Sequence, residues 1–251
     1  MYKLSVIIIT LNEERNISRC LNSVKDIADE LVVIDSFSSD TTKEICLSKG
    51  VKFVENKWPG YAAQKNFAQL QASNDMILSL DADESLSKEL SDSIKKAKED
   101  SDNNLYMFRR LTNYCGKWIH HCGWYPDKKI RMYDRRICHW EGNVHEQLIY
   151  PSSKKVILLE GDCLHYSFYT ISEHIKQADN FTNLAAKEAF EKGQHSSFFL
   201  IIFAPVFKFL QSFILRLGFL DGYYGWVICR ISADATFLKY IKLKELWKKS
   251  K

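Results

Sequence analysis

The chain has 251 residues, 46% of them hydrophobic and 13% aromatic, which is room for one large domain, or a domain with an appendage, around a sizeable core. Ten Gly and four Pro exclude collagen-like and low-complexity chains, and disorder would need a leaner, more one-sidedly charged composition. The net charge of +4 is too mild for a nucleic-acid binder, and it is a tail property: residues 239–251 hold six lysines and one glutamate, which leaves the first 238 residues at −1. The seven cysteines are odd in number and form no CxxC pair, so a reducing cytoplasm is the simplest setting. The apolar run Val6–Ile9 is short and is followed closely by Asn12, Glu13 and Glu14. It reads as a first strand, not a signal peptide.

In chain order, Leu4–Ile9 is a continuous apolar, β-branched run, the mark of a strand covered on both faces. Asn12 is expected to cap a helix whose apolar face is Ile17, Cys20, Leu21 and Val24. Leu31–Ile34 is a second strand. Thr41 and Glu44 have capping-box spacing for the next helix, which Lys49-Gly50 closes. Val51–Val54 is a strand, Ala62–Leu70 a helix and Met76–Leu80 a fourth strand. Strands alternating with helices predict a parallel sheet with helices on both faces. After Ser101 come short strand-like pieces, Leu105–Phe108, Lys129–Tyr133, Val144–Ile149 and Val156–Leu159, among aromatic-rich loops. Helical patterns follow over Ile171–Glu191 and Gly222–Tyr240, with a strongly apolar stretch, Phe198–Leu220, between them. The expected division is a catalytic domain over 1–170 and a helical segment over 171–251. No linker is apparent, so the later part is expected to pack onto the sheet.

Open α/β sheets bind ligands beyond the carboxyl ends of their strands. The residues there are Thr10, Asn12 and Glu13 after the first strand, Asp35 after the second, and Asp81-Ala82-Asp83-Glu84 after the fourth. Alternation in an extended segment aims Asp81 and Asp83 the same way. Two carboxylates side by side repel unless a cation or a proton intervenes. Mg²⁺ or Mn²⁺ is the natural partner and usually also grips substrate phosphates. A solvated loop with helix-capping aspartates is the bland alternative.

Three stretches make the pattern specific: Ser5–Glu14 (SVIIITLNEE), Leu31–Thr42 (LVVIDSFSSDTT) and Asp75–Glu84 (DMILSLDADE). In order and spacing they resemble the inverting family 2 glycosyltransferases of GT-A fold. Gly60–Asn66 (GYAAQKN), Asn143–Glu146 (NVHE) and Gly218–Gly222 (GFLDG) extend the likeness toward a subgroup resembling lipopolysaccharide core β-glucosyltransferases. The resemblance implies a GT-A fold, a UDP-hexose donor and a divalent ion. It places Thr10, Asn12 and Glu13 around the nucleotide, with Glu13 near the ribose. Asp35 would meet the uracil, Asp83 would be the principal metal ligand, and Asp81 would touch ribose or metal-bound water. Lys65, where the broader family usually has R-N, would neutralise diphosphate charge, as a point charge and not a fork; a surface lysine is the other reading.

The implied reaction is displacement at the anomeric carbon with UDP leaving. A general base must take the acceptor's proton. Glu146 is the choice, its pKa expected to rise by desolvation beside Trp140, with Glu141, Asp134 and Asp127 as rivals. The resemblance implies that His165 can complete the metal site, although a lone His is more often a hydrogen-bonded structural residue. His145 can orient Glu146 or meet the acceptor. Cys115, His120, His121, Cys122, Cys138 and His139 fit no common zinc signature and read as buried thiols and an aromatic acceptor loop.

Phe198–Leu220 carries Lys208 and Arg216, which is unfavourable for a bilayer-spanning helix. It suits a helix in the membrane interface, with the Lys-rich end drawn to anionic lipids. Core packing and a dimer contact are the alternatives. The expected function is therefore metal-dependent transfer of a hexose, glucose from UDP-glucose, onto a lipopolysaccharide-core or other glycolipid. The expected place is the cytoplasmic face of the inner membrane, as a peripheral protein. Two other classes stay open: phosphoryl transfer with Asp81 as nucleophile, and a non-catalytic scaffold binding nucleotide or glycolipid.

Overall fold

The computed structural model describes residues 2–99, 104–142 and 146–250. Packing divides the chain into two compact units, 1–110 with 127–166, and 111–126 with 167–251.

The first unit is built on a mixed sheet. β1 (Leu4–Thr10), β2 (Glu30–Asp35), β3 (Lys52–Glu55) and β4 (Met76–Asp81) are parallel, in the order β3-β2-β1-β4. The sheet continues β8-β6-β11-β5 with antiparallel pairing of β8 to β4 and to β6, and of β11 to β5. These later strands are β5 (Glu84–Leu86), β6 (Leu105–Tyr114), β8 (Asp127–Asp134) and β11 (Val156–Phe168). All seven residues of β1 are buried, as expected of a central strand covered on both faces. Leu4, Val6 and Ile8 pack with Ile17, Leu21 and Val24 of α1 (Ile17–Val24) and with Leu90 and Ile94 of α4 (Lys88–Ala97). Ile7 and Ile9, on the opposite face, pack with Ala62 and Ala68 of α3 (Tyr61–Gln71). Each fully buried aliphatic contributes about 1.5–3 kcal/mol to folding.

Two expected caps are used differently. Asn12 does not cap α1. It stands at φ 55° and accepts from the Ser39 N–H at 2.8 Å, tying the loop after β1 to the loop after β2. Glu13 O takes the Asn16 and Ile17 N–H groups, so the helix starts at Ile17. At α2 (Thr42–Ser48) no Thr41 side-chain cap forms. Asp40 accepts the Thr42 N–H at 3.0 Å, and the Thr41 hydroxyl donates to Glu14 at 2.8 Å. Within the expected strand Val144–Ile149, Gln147–Ile149 is β10, paired with β9 (His139–Glu141), whereas Val144 lies outside the described residues.

The second unit has its own core of Tyr114, Ile119, Cys122, Phe168, Val227, Ile228 and Cys229. Its helices are α5 (Ile171–Glu191), α6 (Phe198–Leu210) and α7 (Gly222–Lys249). A Thr170/Glu173 capping box starts α5. A short strand, β7 (Lys117–Ile119), pairs with the end of β6. His174 is caged by Tyr114, Trp124 and Phe168, and its Nδ1 lies 3.0 Å from the Tyr114 hydroxyl. Burial pushes its pKa down to about 4. The unfolded imidazole titrates near 6.5, so between pH 6.5 and 4 the unfolded chain holds more protons. Stability is therefore present in full above pH 6.5 and is lost as pH falls through 4, by about 2–4 kcal/mol. Urea unfolding across this range should show that slope, and His174→Gln, which keeps an acceptor for Tyr114, should flatten it. An unchanged slope would assign the pH dependence to other groups.

Candidate active site

The four parallel strands deliver the loops after β1, β2 and β4 to one edge of the first unit. Thr10 ends β1 opposite Asp35 on β2. Its hydroxyl is buried and has no partner among the described residues. The Asp35 carboxylate accepts from the Ser38 N–H at 2.7 Å and the Ser38 hydroxyl at 2.5 Å, so it shapes the loop that follows it. Glu13 donates its N–H to Thr42 Oγ1 at 2.9 Å and accepts from Asn16 Nδ2 at 2.8 Å. Burial pushes the Glu13 pKa up to about 7, and the charges of Asp83 and Asp40 add to the rise against the Asn16 hydrogen bond.

The paired aspartates take different partners, and the alternation argument does not carry across them because the backbone is not extended there. Asp81 is the last residue of β4, and the chain turns at Ala82–Asp83 before β5. Asp81 meets Lys65 Nζ at 3.2 Å and Arg131 Nη2 at 2.9 Å. Burial alone would raise its pKa, but Lys65 and Arg131 hold it well below the usual carboxylate range. Asp83 faces His165, with Oδ2 at 3.1 Å from Nε2. β11 carries His165 to this place by pairing it with Glu84 on β5.

Lys65 is fully buried and joins two site residues, since its Nζ also lies 3.0 Å from Glu146 Oε1. The expected neighbour of Glu146, Trp140, stands instead against Lys65, 4.8 Å from Nζ to the ring centroid. The GYAAQKN stretch sits at the start of α3, and each of its last three residues reaches a different element. Gln64 donates to the Ser36 hydroxyl at 3.1 Å. Lys65 joins Asp81 to Glu146. Asn66 exchanges two hydrogen bonds of 2.8 Å with the Trp140 backbone on β9, which fixes the hairpin leading to Glu146. His145 lies outside the described residues.

Three contributors were given no role by the sequence. Glu84 is 1% exposed. It accepts the Asp81 N–H at 3.0 Å and Arg131 Nη2 at 2.5 Å, with Arg110 at 3.5 Å. Arg131, on β8, thus locks the base of the aspartate loop through both Asp81 and Glu84. Its only sequence signal is an arginine in an otherwise apolar strand end. Tyr61 is the third. Its phenol pKa is raised by burial and then by Asp81, Glu146 and Asp83. Trp58 packs edge-on against Tyr61 at 4.8 Å, and both rings are exposed.

Arg131→Ala strands Glu84 as a buried charge with less compensation. The expected cost is about 3–5 kcal/mol, read from urea unfolding. Arg131→Lys should recover part of it, because a point charge cannot reproduce the fork. An Ala variant as stable as the parent would remove Arg131 from this role.

The residues also meet the demands of a divalent ion. Among the described residues no three His, Cys, Asp or Glu side chains are grouped to hold one unaided. Asp83 and His165, however, offer one carboxylate and one imidazole whose donor atoms are 3.1 Å apart. Adjacent ligands of an octahedral ion stand about 3.0 Å apart, and such ions are commonly held by one or two carboxylates with substrate phosphates supplying the rest. The pair fits an ion shared with a phosphorylated ligand.

Comparison with known proteins agrees with this architecture. The family model for glycosyl transferase family 2 matches residues 5–151. The chain is 35% identical to an uncharacterized glycosyltransferase of Rickettsia typhi, over all of this chain and 90% of that protein. It is 28% identical to the lipopolysaccharide core biosynthesis glycosyltransferase LpsC of Rhizobium meliloti, over 96% of this chain and 91% of LpsC. Glucosyl-3-phosphoglycerate synthase from Mycobacterium tuberculosis, a solved structure, aligns with 45% of this chain and 44% of its own at 21% identity and a TM-score of 0.37, too partial a likeness to bear on ligands. With more than half its length matched by the family model and a full-length relative at 35% identity, the chain belongs to glycosyl transferase family 2 and is a glycosyltransferase of GT-A fold.

Proposed function

We propose that this glycosyltransferase moves a hexose, glucose from UDP-glucose, onto a lipopolysaccharide-core or related glycolipid, with inversion at the anomeric carbon and with Mn²⁺ or Mg²⁺ as cofactor. The observation that carries the reading is the bridge of Lys65 between Asp81 and Glu146, beside the Asp83–His165 pair. It gathers, from distant parts of the chain, a proton acceptor, a buried cation and two metal-competent donors. The full-length likeness to LpsC supports the acceptor class.

In this reading the loops after β1 and β2 hold the nucleotide. The unpartnered Thr10 hydroxyl, Asn12 and Glu13 line the ribose side, and Asp35 stands at the base. Asp83 and His165 would hold the ion, which when bound would supply positive charge to the leaving diphosphate. Lys65 adds a second positive charge from within the protein. Glu146, oriented by Lys65, accepts the proton of the attacking hydroxyl. Trp58 and Tyr61 offer flat faces to a sugar ring. Membership of the family leaves no place for an aspartyl-phosphate reading or for a scaffold without activity. Asp81, clamped by two cations, is also poorly suited to nucleophilic attack. A glycolipid acceptor places the enzyme at the cytoplasmic face of the inner membrane as a peripheral protein.

A thermal-shift screen of UDP-, GDP-, ADP- and dTDP-sugars with and without Mn²⁺ tests the donor. UDP-glucose should raise the melting temperature most, and only with the ion. A shift that favours another nucleotide, or that ignores the ion, would overturn the donor or the metal.

A further inference from the structure

The second unit leaves many large apolar side chains exposed. Phe198–Leu215 is long and apolar enough to cross a membrane by length and composition. Phe199 and Leu215 are each 72% exposed, and Phe203, Phe207, Leu220 and Tyr223 are open as well. We infer that this surface seats itself in the headgroup–acyl boundary of an anionic bilayer, with α6 lying along the membrane plane and not crossing it. The inference takes its purpose from the proposed glycolipid acceptor, but its geometry stands on the second unit alone.

The path of the chain excludes a crossing. α5 starts at the end of the unit where His174 meets Tyr114. The reversal after α6 is tied to that same end. Cys122 N–H donates to Arg216 O at 3.1 Å, His121 N–H to Asp221 Oδ2 at 2.8 Å, and Lys117 Nζ to Asp221 O at 2.5 Å. At the opposite end Trp247 Nε1 donates to Gln194 O at 2.7 Å, and the same indole stacks on His195 at 4.1 Å. So α5 runs out, α6 returns and α7 runs out again. If α6 crossed a bilayer, α5 and α7 would have to cross beside it. α5 carries Glu173, Lys176, Asp179, Lys187, Glu188 and Glu191, and α7 ends in a run of lysines. Charges of that kind cost several kcal/mol each at a bilayer centre. α6 itself contains Pro205 and passes into a π-helical turn at Gln211–Leu215.

Charge names the occupant. From Lys192 to Arg230 the one acidic residue is Asp221, and it is 3% exposed. Lys192 and Arg230 are paired with the exposed carboxylates of Glu188 and Asp234 at the two edges of this stretch, so the charge it adds to its apolar surface is that of Lys208 and Arg216. Anionic headgroups complement it. A second copy of the same face, paired about a two-fold axis, brings the Lys208 and Arg216 charges against their own copies. Tyr223 and Trp226, both exposed, are the amphipathic rings that favour the headgroup level.

The test uses the full chain and vesicles of phosphatidylcholine with or without phosphatidylglycerol. The protein should float with the anionic vesicles and bind neutral ones at least about tenfold more weakly. The part of the emission lost in Trp226→Phe should be quenched by lipids brominated near the glycerol end more than by lipids brominated near the methyl end. A Phe199→Glu/Phe203→Glu/Phe207→Glu variant should lose flotation while keeping its helix content and its nucleotide-induced thermal shift, since these rings are exposed. Stronger quenching from the methyl end would overturn the in-plane seating. No flotation, with dimers in sedimentation, would assign the face to a second copy; equal binding to both vesicles would remove the anionic-lipid claim. Failure of transfer with intact flotation would strike the proposed function and leave this inference standing.

Discussion

Glu146→Gln should lower the transfer rate by about 10²–10⁴-fold, the usual worth of a positioned general base. The amide keeps the shape of the side chain, and its carbonyl can still accept from Lys65, now 3.0 Å from Glu146. It cannot take a proton. Nucleotide binding should survive, because the loops after β1 and β2 that are proposed to hold the nucleotide are untouched. The effect should thus fall on kcat, with the UDP-induced thermal shift preserved. The rivals are poorly placed to take over. Burial works to raise the pKa of Asp127, but Arg110 and Lys129 hold it below its ordinary value, and Arg136 does the same for Asp134. Glu141 is exposed and engaged by His139 at 2.9 Å. A Gln variant with parental kcat would reassign the base.

Asp83→Ala should cost about 10²–10³-fold in transfer, the scale of losing one preorganised source of charge stabilisation at the leaving group. It should also abolish the Mn²⁺-dependent part of UDP binding in calorimetry. The fold should hold, since Asp83 sits on a turn and its single described side-chain partner is His165. His165→Ala should produce the same phenotype in weaker form, because one carboxylate and phosphate oxygens can still grip a hard ion. Asp81→Ala is a different experiment. It removes the shared anion of two buried cations and should damage stability as well as activity. Full activity of the Asp83 variant in excess chelator would refute metal dependence and the role of Asp83 together.

Much of the fold is written in local pattern. Leu4–Ile9, Leu31–Ile34 and Met76–Leu80 are apolar runs with no polar face, and buried parallel strands are the structures that accept such runs. Once those strands are parallel, the residues after them must share one edge. That is why Thr10, Glu13, Asp35 and the aspartate loop could be gathered from the sequence alone. The helix Ile171–Glu191 was equally legible, since Thr170 and Glu173 sign its start. Helix α7 runs on past Tyr240 to Lys249, where the Glu245–Lys249 pair helps support it.

What the sequence determined by itself, then, is the class of fold, the family and the edge at which the proposed site residues meet, because each depends on short-range periodicity and on motifs a few residues long. Tertiary structure alone decided who partners whom. Lys65 meets Glu146 across 81 positions, and Arg131 meets Asp81 across 50. Buried charges must find opposite charges wherever the chain brings them. A turn of two residues sent Asp81 to those cations and Asp83 to His165, because alternation governs side chains only while the backbone stays extended.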